Sequence, residues 1–289
     1  MTPTVKTKEG SKTGLYIYRA VAYTVLILLS LLCLFFFYVL IINSTRAHAD
    51  IQKGFSFLPG AFFKANWDSL MSNPELPMFR GVLNSLLVSG MTALLATYFS
   101  ALTAYAIHAY EFKLKNFVFK FILLIMTVPA QVSALGFLQL VRNMGLMNTF
   151  YPLFLPSIAS PTVFFFMKQY MDSVLPMEIV EAARIDGSGE FNTFNRIILP
   201  ILKPAIAVQA IFTFVGAWNN YFTPALILST KEMKTLPILI AQLRSADWLK
   251  FDMGQVYMAI AMAILPIMIV YLLLSRFIVS GVTLGSVKG

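Results

Sequence analysis

Apolar residues in this chain are grouped in long blocks, and most charged residues lie in the connections between them. Each block is about 20 residues long, the length that an α-helix rising ~1.5 Å per residue needs to cross a ~30 Å hydrocarbon core. The blocks are residues 20–42, 82–108, 121–140, 151–170, 201–228 and 256–277. This pattern predicts an all-α membrane protein with six transmembrane helices in residues 20–279, between an N-terminal segment, 1–19, and a tail, 280–289.

The composition of the chain is typical of a membrane protein. Hydrophobic residues make up 58% of the 289 residues and charged residues only 12%, and the mean hydropathy is +0.75. A soluble domain carries about 25% charged residues, so a soluble fold is excluded. The first block has 23 residues, against about 7–15 in the apolar part of a secretory signal peptide. We therefore expect it to be a retained span.

The chain has a net charge of +9, and its Lys and Arg residues lie mainly in the connections, where they would orient the chain in a bilayer. The positive charge is therefore explained without a nucleic-acid partner, and none is expected. With six spans, the connections on the side of the two termini hold 13 Lys and Arg residues, and those on the other side hold 9. Cytoplasmic connections carry the excess of Lys and Arg in membrane proteins. Both termini are therefore predicted to be cytoplasmic.

Residue types that bind metals or nucleotides are scarce. Cys33 is the only cysteine, which excludes an intrachain disulfide and a thiolate metal site. The only histidines, His48 and His108, are predicted on opposite sides of the membrane, so a shared metal ion is not expected. The stretch 10–13 lacks the upstream glycine of a phosphate-binding loop. We expect no catalytic residue, metal or cofactor in this chain.

The connection between the fourth and fifth spans, residues 172–199, has the pattern of two short helices. Pro176 suits the first turn of a helix, and Glu178 favours its positive N-terminal end. Gly187 can adopt the left-handed conformation that ends a helix, and Ser188 can cap the next one. The pattern predicts a cytoplasmic helix–turn–helix, with the apolar side chains of the second helix anchoring it under the bundle.

The first of these predicted helices carries charges of both signs beside two small side chains. Such a helix can pack closely in a groove of another protein, or it can rest on the membrane as an amphipathic helix. The residues concerned are Glu181, Ala182, Ala183, Arg184, Asp186 and Gly187. Residue types alone leave both interpretations open.

Three stretches of this sequence resemble the permeases of ABC importers. Glu181–Gly187, followed by Leu199–Pro200, resembles their E-A-A loop in the form typical of the carbohydrate-uptake group, which includes the smaller maltose permease subunit. Trp218–Tyr221 is similar to the W-N-x-[FY] segment of the fifth span, and residues 276–289 resemble the cytoplasmic tail. Ser188 departs from the alanine often found there. The resemblance covers the whole chain.

The resemblance implies a transmembrane subunit of an ATP-driven, binding-protein-dependent importer of a sugar or oligosaccharide, in a bacterial plasma (inner) membrane. It implies a second, different permease subunit, two ATPase subunits that hold ATP and Mg, and an extracytoplasmic sugar-binding protein. The E-A-A helix would dock in a cleft of an ATPase subunit and act as the coupling helix, and the tail would reach towards the ATPase interface. This chain itself would be non-catalytic.

Polar residues within the predicted spans are candidates for the substrate pathway, since intramembrane polar side chains are commonly functional. The alternative for each is a hydrogen bond between helices, worth about 0.6 kcal/mol. The candidates are Asn84, Gln131, Gln139, Gln209, Asn219, Asn220 and Tyr221. The sequence favours the internal hydrogen bond at each position, and it does not identify the sugar.

Two long connections on the far side, 43–81 and 229–254, also have two interpretations. Their length and their prolines and tryptophans suit a surface that receives another protein. The same composition suits amphipathic segments at the membrane interface, where tryptophan is common. Both remain open on composition.

An ion-coupled secondary transporter or channel is the alternative function. Such proteins use ionisable side chains near the middle of their spans as ion or proton relays. Every Asp and Glu of this chain can be placed in a connection instead. The sequence therefore favours the ATP-driven importer.

Overall fold

The computed structural model describes residues 12–245 and 251–285, and within these ranges the chain forms helices and no strand. The first helices are α1 (Lys12–Ser44), α2 (His48–Gln52), α3 (Phe63–Met71), α4 (Met78–Ala109), α5 (Lys115–Ile125), α6 (Ala130–Asn143), α7 (Tyr151–Phe154) and α8 (Pro161–Val174). The later helices are α9 (Met177–Ile185), α10 (Glu190–Thr193), α11 (Leu199–Ile201), α12 (Lys203–Trp218), α13 (Phe222–Ile227), α14 (Leu236–Arg244) and α15 (Met253–Gly285). The prediction of an all-α protein is confirmed.

Three helices in the described residues are long and apolar enough to cross a membrane. They are Gly14–Ser44, Met78–Ala109 and Met253–Phe277. A fourth span is present if Glu190–Ile201 and Lys203–Trp218, which are bent by 81° at their junction, are counted as one. The predicted number of six spans is therefore not confirmed.

The predicted third, fourth and fifth spans are each divided into shorter helices. In the third, α5 ends at Ile125 and α6 begins only after Pro129. The fourth is divided among α7, a 3-10 turn and α8, each with a proline in its first turn, and the fifth is interrupted between Trp218 and Phe222. At the breaks in the third and fourth spans, proline has no N–H with which to continue the preceding helix. The break in the fifth span, at residues 219–221, contains no proline. Hydropathy sums side chains and does not detect such a break in the backbone ladder.

Helix α4 lies in the second of two compact units, which comprises the described part of residues 69–251 and 262–289. It packs against α8 and α12 through a face of fully buried small residues that includes Ala96, Ala101 and Ala104. Small side chains let helix backbones approach closely. The hydroxyls of Ser89 and Thr97 donate to carbonyls four residues earlier, which satisfies them inside an apolar interface.

The first compact unit comprises the described residues up to 68 together with 252–261. Its buried Arg46 donates to Oδ1 of Asn43 at 3.0 Å, and the carbonyl of Arg46 accepts from Nδ2 of Asn66 at 3.0 Å. The N–H of Met253 donates to Nδ1 of His48 at 3.0 Å. The segment after α1 is thus a folded element held by internal hydrogen bonds.

Candidate functional site

Helix α9 begins and ends where its residue types predict. Glu178 lies in its first turn, where a carboxylate is favoured by the positive end of the helix. Gly187 has a φ of 77°, and its N–H donates to the carbonyl of Arg184 at 3.0 Å while that of Ser188 donates to Ala183 at 2.9 Å. These two bonds form the motif in which a left-handed glycine closes a helix. The predicted stop at Gly187 is confirmed.

The start of the second helix differs from the prediction. Its N-cap is Gly189, not Ser188, and α10 begins at Glu190. The Ser188 backbone already belongs to the closing turn of α9, so its side chain lies too early to cap α10. Its hydroxyl accepts hydrogen bonds from the side chains of Asn192 at 3.1 Å and Thr193 at 2.9 Å instead.

The chain continues from α10 as a π-helical turn, Phe194–Ile198. Such wide turns are rare and occur often at functional sites. Phe194 and Ile198 are completely buried, as expected of side chains that anchor the second helix. Phe191 was expected to share this role, but 70% of its surface is exposed.

Most of the predicted coupling residues lie on an exposed surface. Glu181, Ala182, Arg184, Asp186 and Gly187 are exposed. Ala183 is 5% exposed, because it lies on the same side of α9 as the buried Val180, three positions earlier. The expectation that both alanines would be free to pack into a groove is therefore wrong for Ala183.

The hydrophobic part of this surface was missed by the sequence interpretation. Ile185 is 87% exposed, and it lies on the same face of α9 as Glu178, Glu181 and Ala182, since positions three and four apart are neighbours on a helix. In the isolated chain this aliphatic side chain is open to contact with lipid or with another protein. We call Glu178, Glu181, Ala182 and Ile185 the exposed face of α9.

Arg184 is engaged within the chain. Its Nε donates to Oε1 of Glu190 at 2.8 Å, and its Cζ lies 5.3 Å from the centroid of the Tyr110 ring, within the range of a cation–π contact. The other carboxylate oxygen of Glu190, Oε2, accepts from the hydroxyl of Tyr105 at 3.0 Å. One carboxylate thereby joins α9 and α10 to α4.

The strengths of these two bonds to Glu190 differ because their burial differs. The side chains of Arg184 and Glu190 are 37% and 42% exposed, and an exposed ion pair contributes only about 0–1 kcal/mol. Tyr105 is 2% exposed, so water competes less for its hydroxyl than for the guanidinium of Arg184. The bond from Tyr105 is therefore the better shielded of the two, and both share the partly exposed carboxylate of Glu190.

Phe194 lies between two tyrosine rings of α4. Its ring centroid is 5.7 Å from that of Tyr98 and 5.6 Å from that of Tyr105, distances at which aromatic pairs attract. The hydroxyl of Tyr98 donates to Oδ1 of Asn195 at 3.1 Å. The second helix is thus bonded to α4 by two phenol groups on either side of a buried ring.

A charged cluster joins the end of α4 to the end of α8. Nζ of Lys168 donates to Oδ2 of Asp172 at 2.6 Å, and Nδ1 of His108 lies 2.9 Å from Oδ1 of the same carboxylate. Burial opposes ionisation of Asp172, but the hydrogen bonds from Lys168 and His108 outweigh it and hold the pKa of Asp172 below its ordinary value. This cluster fixes the backbone from which α9 begins.

A cavity of about 510 Å³ lies between α6, α7 and α13. Its wall is mostly apolar, and it includes three side chains that can bond a hydroxyl group, Ser133, Asn220 and Thr223. Oδ1 of Asn220 accepts from the N–H of Thr223 at 3.3 Å, which leaves its NH2 group as a donor in the wall. Of the substrate candidates, Asn220 is the one that lines this cavity.

The other substrate candidates lie elsewhere. Nδ2 of Asn84 donates to the carbonyls of Glu232 and Lys234 at 2.8 and 2.9 Å, which favours the internal-bond interpretation for that residue. Gln209 is buried within α12. Three candidates are exposed, namely Gln139, Asn219 and Tyr221, and the side chain of Gln131 lies outside the described part of the structure.

The predicted tail, residues 280–289, is described only in part. Helix α15 continues through it to Gly285, and residues 286–289 lie outside the described residues. Among the described residues, no group of three or more His, Cys, Asp and Glu could hold a metal ion.

Comparisons with known proteins agree on one family. Residues 94–283 match the family of binding-protein-dependent transport system inner membrane components. The chain is 33% identical over 279 residues to the arabinooligosaccharides transport system permease protein AraQ of Bacillus subtilis, a match that covers 94% of this chain and 97% of AraQ. It is 30% identical to the melibiose/raffinose/stachyose import permease protein MelC of the same organism, over 88% of this chain and 91% of MelC.

A third relative is the sn-glycerol-3-phosphate transport system permease protein UgpE of Yersinia pestis, which is 31% identical over 87% of this chain and 91% of UgpE. The fold is similar to that in the crystal structure of a bacterial ABC transporter involved in the import of the acidic polysaccharide alginate. That match has a TM-score of 0.78 and covers 93% of this chain and 99% of the other, at 20% identity. The chain belongs to the inner-membrane components of binding-protein-dependent transport systems, as a permease of the carbohydrate-uptake ABC importers.

Proposed function

We propose that the exposed face of α9 docks in a cleft of a separate ATPase subunit and couples ATP hydrolysis to the import of a sugar or oligosaccharide. The observation that carries the proposal is the exposure of Ile185, 87%, on a helix whose opposite side is buried through Val180 and Ala183. Ile185 is flanked by Glu181 and Asp186. This arrangement suits a protein groove with a polar rim, because the groove can bury the apolar side chain while the rim bonds the two carboxylates.

This arrangement makes α9 a projection with one free side and one anchored side. The closing turn at Gly187 gives α9 a defined end, and the buried Phe194 and Ile198 attach the following segment to the protein. A displacement applied to the free side is then carried into the membrane part rather than absorbed by a loose loop. The resting amphipathic helix is the competing interpretation, and it requires lipid rather than protein against Ile185.

The same proposal assigns the remaining partners. A second, different permease subunit shares the translocation pathway, a binding protein delivers the cargo, and two ATPase subunits hold ATP and Mg. This chain is a non-catalytic subunit of that complex.

The end that carries α9 then faces the cytoplasm, together with both termini, and the tail from Ser280 reaches the ATPase subunits. Introduced cysteines in the tail should therefore crosslink to them, and lack of a product with and without nucleotide would contradict this.

The cargo is proposed from the names of the relatives and from the cavity. AraQ and MelC are named for arabino-oligosaccharides and for melibiose, raffinose and stachyose. A volume of about 510 Å³ lies within the roughly 300–1,000 Å³ of small-molecule sites, and Asn220 supplies an amide to a sugar hydroxyl. A binding assay on the cognate binding protein identifies the cargo, and a binding protein that takes no sugar would contradict the assignment.

Crosslinking tests the docking. In the Cys33→Ser background, Ile185→Cys is treated with a thiol-to-amine crosslinker in the assembled complex. We expect a product with the ATPase subunit, because the side chain at position 185 would lie in the ATPase cleft. The matched control is Leu265→Cys on α15, where the native side chain is 58% exposed, and it should give no such product. Equal products from the two positions, or none from Ile185→Cys, would refute the proposal.

A further inference from the structure

Two bonds attach the segment after α9 to one face of α4. Tyr98 and Tyr105 are seven residues apart, so they lie on the same side of α4, two turns from one another. Tyr98 bonds to Asn195 at 3.1 Å and Tyr105 to Glu190 at 3.0 Å. Both phenols donate, and both acceptors are side chains of the helix–turn–helix.

The Tyr105 bond is continuous with α9 through Arg184, which lies outside the exposed face of that helix. Glu190 accepts from Tyr105 on one oxygen and from Arg184 on the other, and Arg184 is one position before Ile185. The chain Arg184–Glu190–Tyr105 therefore connects the docking helix to α4 without passing through the π-helical turn. Sequence gives no sign of this connection, since the hydroxyl and carboxylate lie 85 positions apart.

Helix α4 extends from this connection to a second one at its other end. Asn84 and Ser85 bond there to the segment 232–236: Asn84 donates to two of its carbonyls, and Oγ of Ser85 accepts from the N–H of Leu236 at 2.8 Å. At ~1.5 Å per residue, Asn84 and Tyr105 are about 30 Å apart along the helix. A displacement of the Tyr105 end would thus be carried to a segment on the far side of the protein.

We propose that Tyr105 and Tyr98 are positioning residues for coupling: they fasten the helix–turn–helix to α4, so that α9 and α4 move as one body when the ATPase subunits close. This inference rests on the proposed docking of α9. Its competitor is attachment by burial alone, through Phe194 and Ile198, and in that case the two phenol hydroxyls contribute nothing to the transmission. Tyr-to-Phe substitution separates the two, because it removes each hydroxyl and keeps each ring.

The test is a distance measurement in the assembled complex with its partner permease and ATPase subunits. Spin labels are placed at Arg196→Cys and Leu94→Cys in the Cys33→Ser background, since both native side chains are exposed. The distance between the labels is recorded without nucleotide and with ATP plus vanadate. We expect one narrow distribution in both conditions for the parent protein. The variant Tyr98→Phe/Tyr105→Phe should shift or broaden it with ATP plus vanadate. Its substrate transport per ATP should fall roughly tenfold or more, because it loses one hydrogen bond to a carboxylate and a second to an amide.

Two further variants keep this test decisive. Glu190→Gln weakens the bonds to Arg184 and Tyr105 without changing the shape of the side chain, and it should loosen the distance in the same direction. Tyr271→Phe on α15, where 54% of the tyrosine is exposed, is the matched control and should match the parent protein.

The outcomes distinguish this inference from the proposed function. If Ile185→Cys still crosslinks to the ATPase subunit while the double variant keeps the parent distance and transport per ATP, the positioning role is refuted and docking stands. A parent distance that itself changes with ATP plus vanadate refutes movement as one body. Failure of the Ile185→Cys crosslink in the parent complex refutes docking, and the positioning role with it.

Discussion

Helix α4 is bonded at both ends to distant parts of the chain, but the partners differ in kind at the two ends. Near its start, Asn84 and Ser85 bond to backbone atoms of residues 232–236. Near its end, Tyr98 and Tyr105 bond to side chains of the helix–turn–helix. A bond to a backbone atom holds the course of the chain itself, whereas a bond between side chains fastens one element to another through groups that a single substitution can remove.

The loop that begins at residue 228 is likewise held through its backbone at both ends. Asn148 holds its start, with Oδ1 accepting from the N–H groups of Ser229 and Thr230 at 3.0 and 3.1 Å, and Asn84 holds its end. Beside this loop, Val141, Ile227, Leu228 and Ile238 form a small buried cluster. We conclude that the Asn84 end is built as a fixed surface, and that the Tyr105 end is a side-chain attachment between two rigid elements. Three substitutions test whether the two ends differ in this way.

The largest effect is expected at the Tyr105 end, from Gly187→Val. The backbone there has a φ of 77°, and a non-glycine residue in such a conformation is strained by about 1–3 kcal/mol, with a β-branched one worst. Since no atom would obstruct a Cβ at this site, the effect comes from the backbone alone and should displace the end of α9. We expect ATPase subunits to be lost from the purified complex and transport to be abolished.

Gly189→Val is the matched control for this substitution. Gly189 has a φ of −66° and a ψ of 149°, which valine adopts without strain, and it too has open space around its Cβ position. Assembly and transport should remain close to those of the parent protein. Equal losses from the two variants would show that bulk in the turn, rather than the left-handed backbone, is what matters.

A smaller effect, confined to stability, is expected from Asn148→Ala. The substitution removes the acceptor of the Ser229 and Thr230 bonds and leaves alanine at a φ of 57°, so it should lower the free energy of unfolding by roughly 1–3 kcal/mol. Asn148→Gly loses the same bonds without the strain and should be less harmful. Thermal unfolding of the detergent-solubilised protein measures both, and the Ile185→Cys crosslink should be unchanged. Loss of that crosslink in Asn148→Ala would contradict the separation of the two ends.

The smallest effect is expected at Asp172, whose side chain is 44% exposed. Its pKa is lower in the folded protein than its ordinary value of 3.8, so the unfolded chain takes up a proton first as the pH falls. The stabilisation is therefore present above pH 3.8 and is lost as the pH falls through the folded pKa. Asp172→Asn should lower the unfolding temperature slightly at neutral pH. It should also flatten the decline of the unfolding temperature below pH 3.8. An unchanged decline in Asp172→Asn, compared with the parent protein, would contradict the prediction.

The local features of the site could be predicted from residue types, because their causes are local. Glycine is the residue that adopts a positive φ without strain, so Gly187 marks the end of α9 in the sequence as clearly as in the structure. The neighbouring prediction for Ser188 was wrong by one position, since its backbone N–H is used by the closing turn of α9. The inward side of Ala183 was missed because a short helix of small and charged residues does not reveal which face meets the protein.

Residue types and their order along the chain were enough to predict the membrane class, the all-α fold, the helix–turn–helix and, through the E-A-A resemblance, the family. These follow from hydropathy, from helix start and stop residues, and from a motif contiguous in the chain. Three findings came only from the folded chain: the predicted spans 121–140, 151–170 and 201–228 are broken, Ile185 is exposed, and Glu190 is bonded to Tyr105. The exposure and the bond depend on which distant residues become neighbours, and packing sets that relation without leaving a periodic pattern in either partner. The breaks interrupt the backbone, and a hydropathy pattern does not record them.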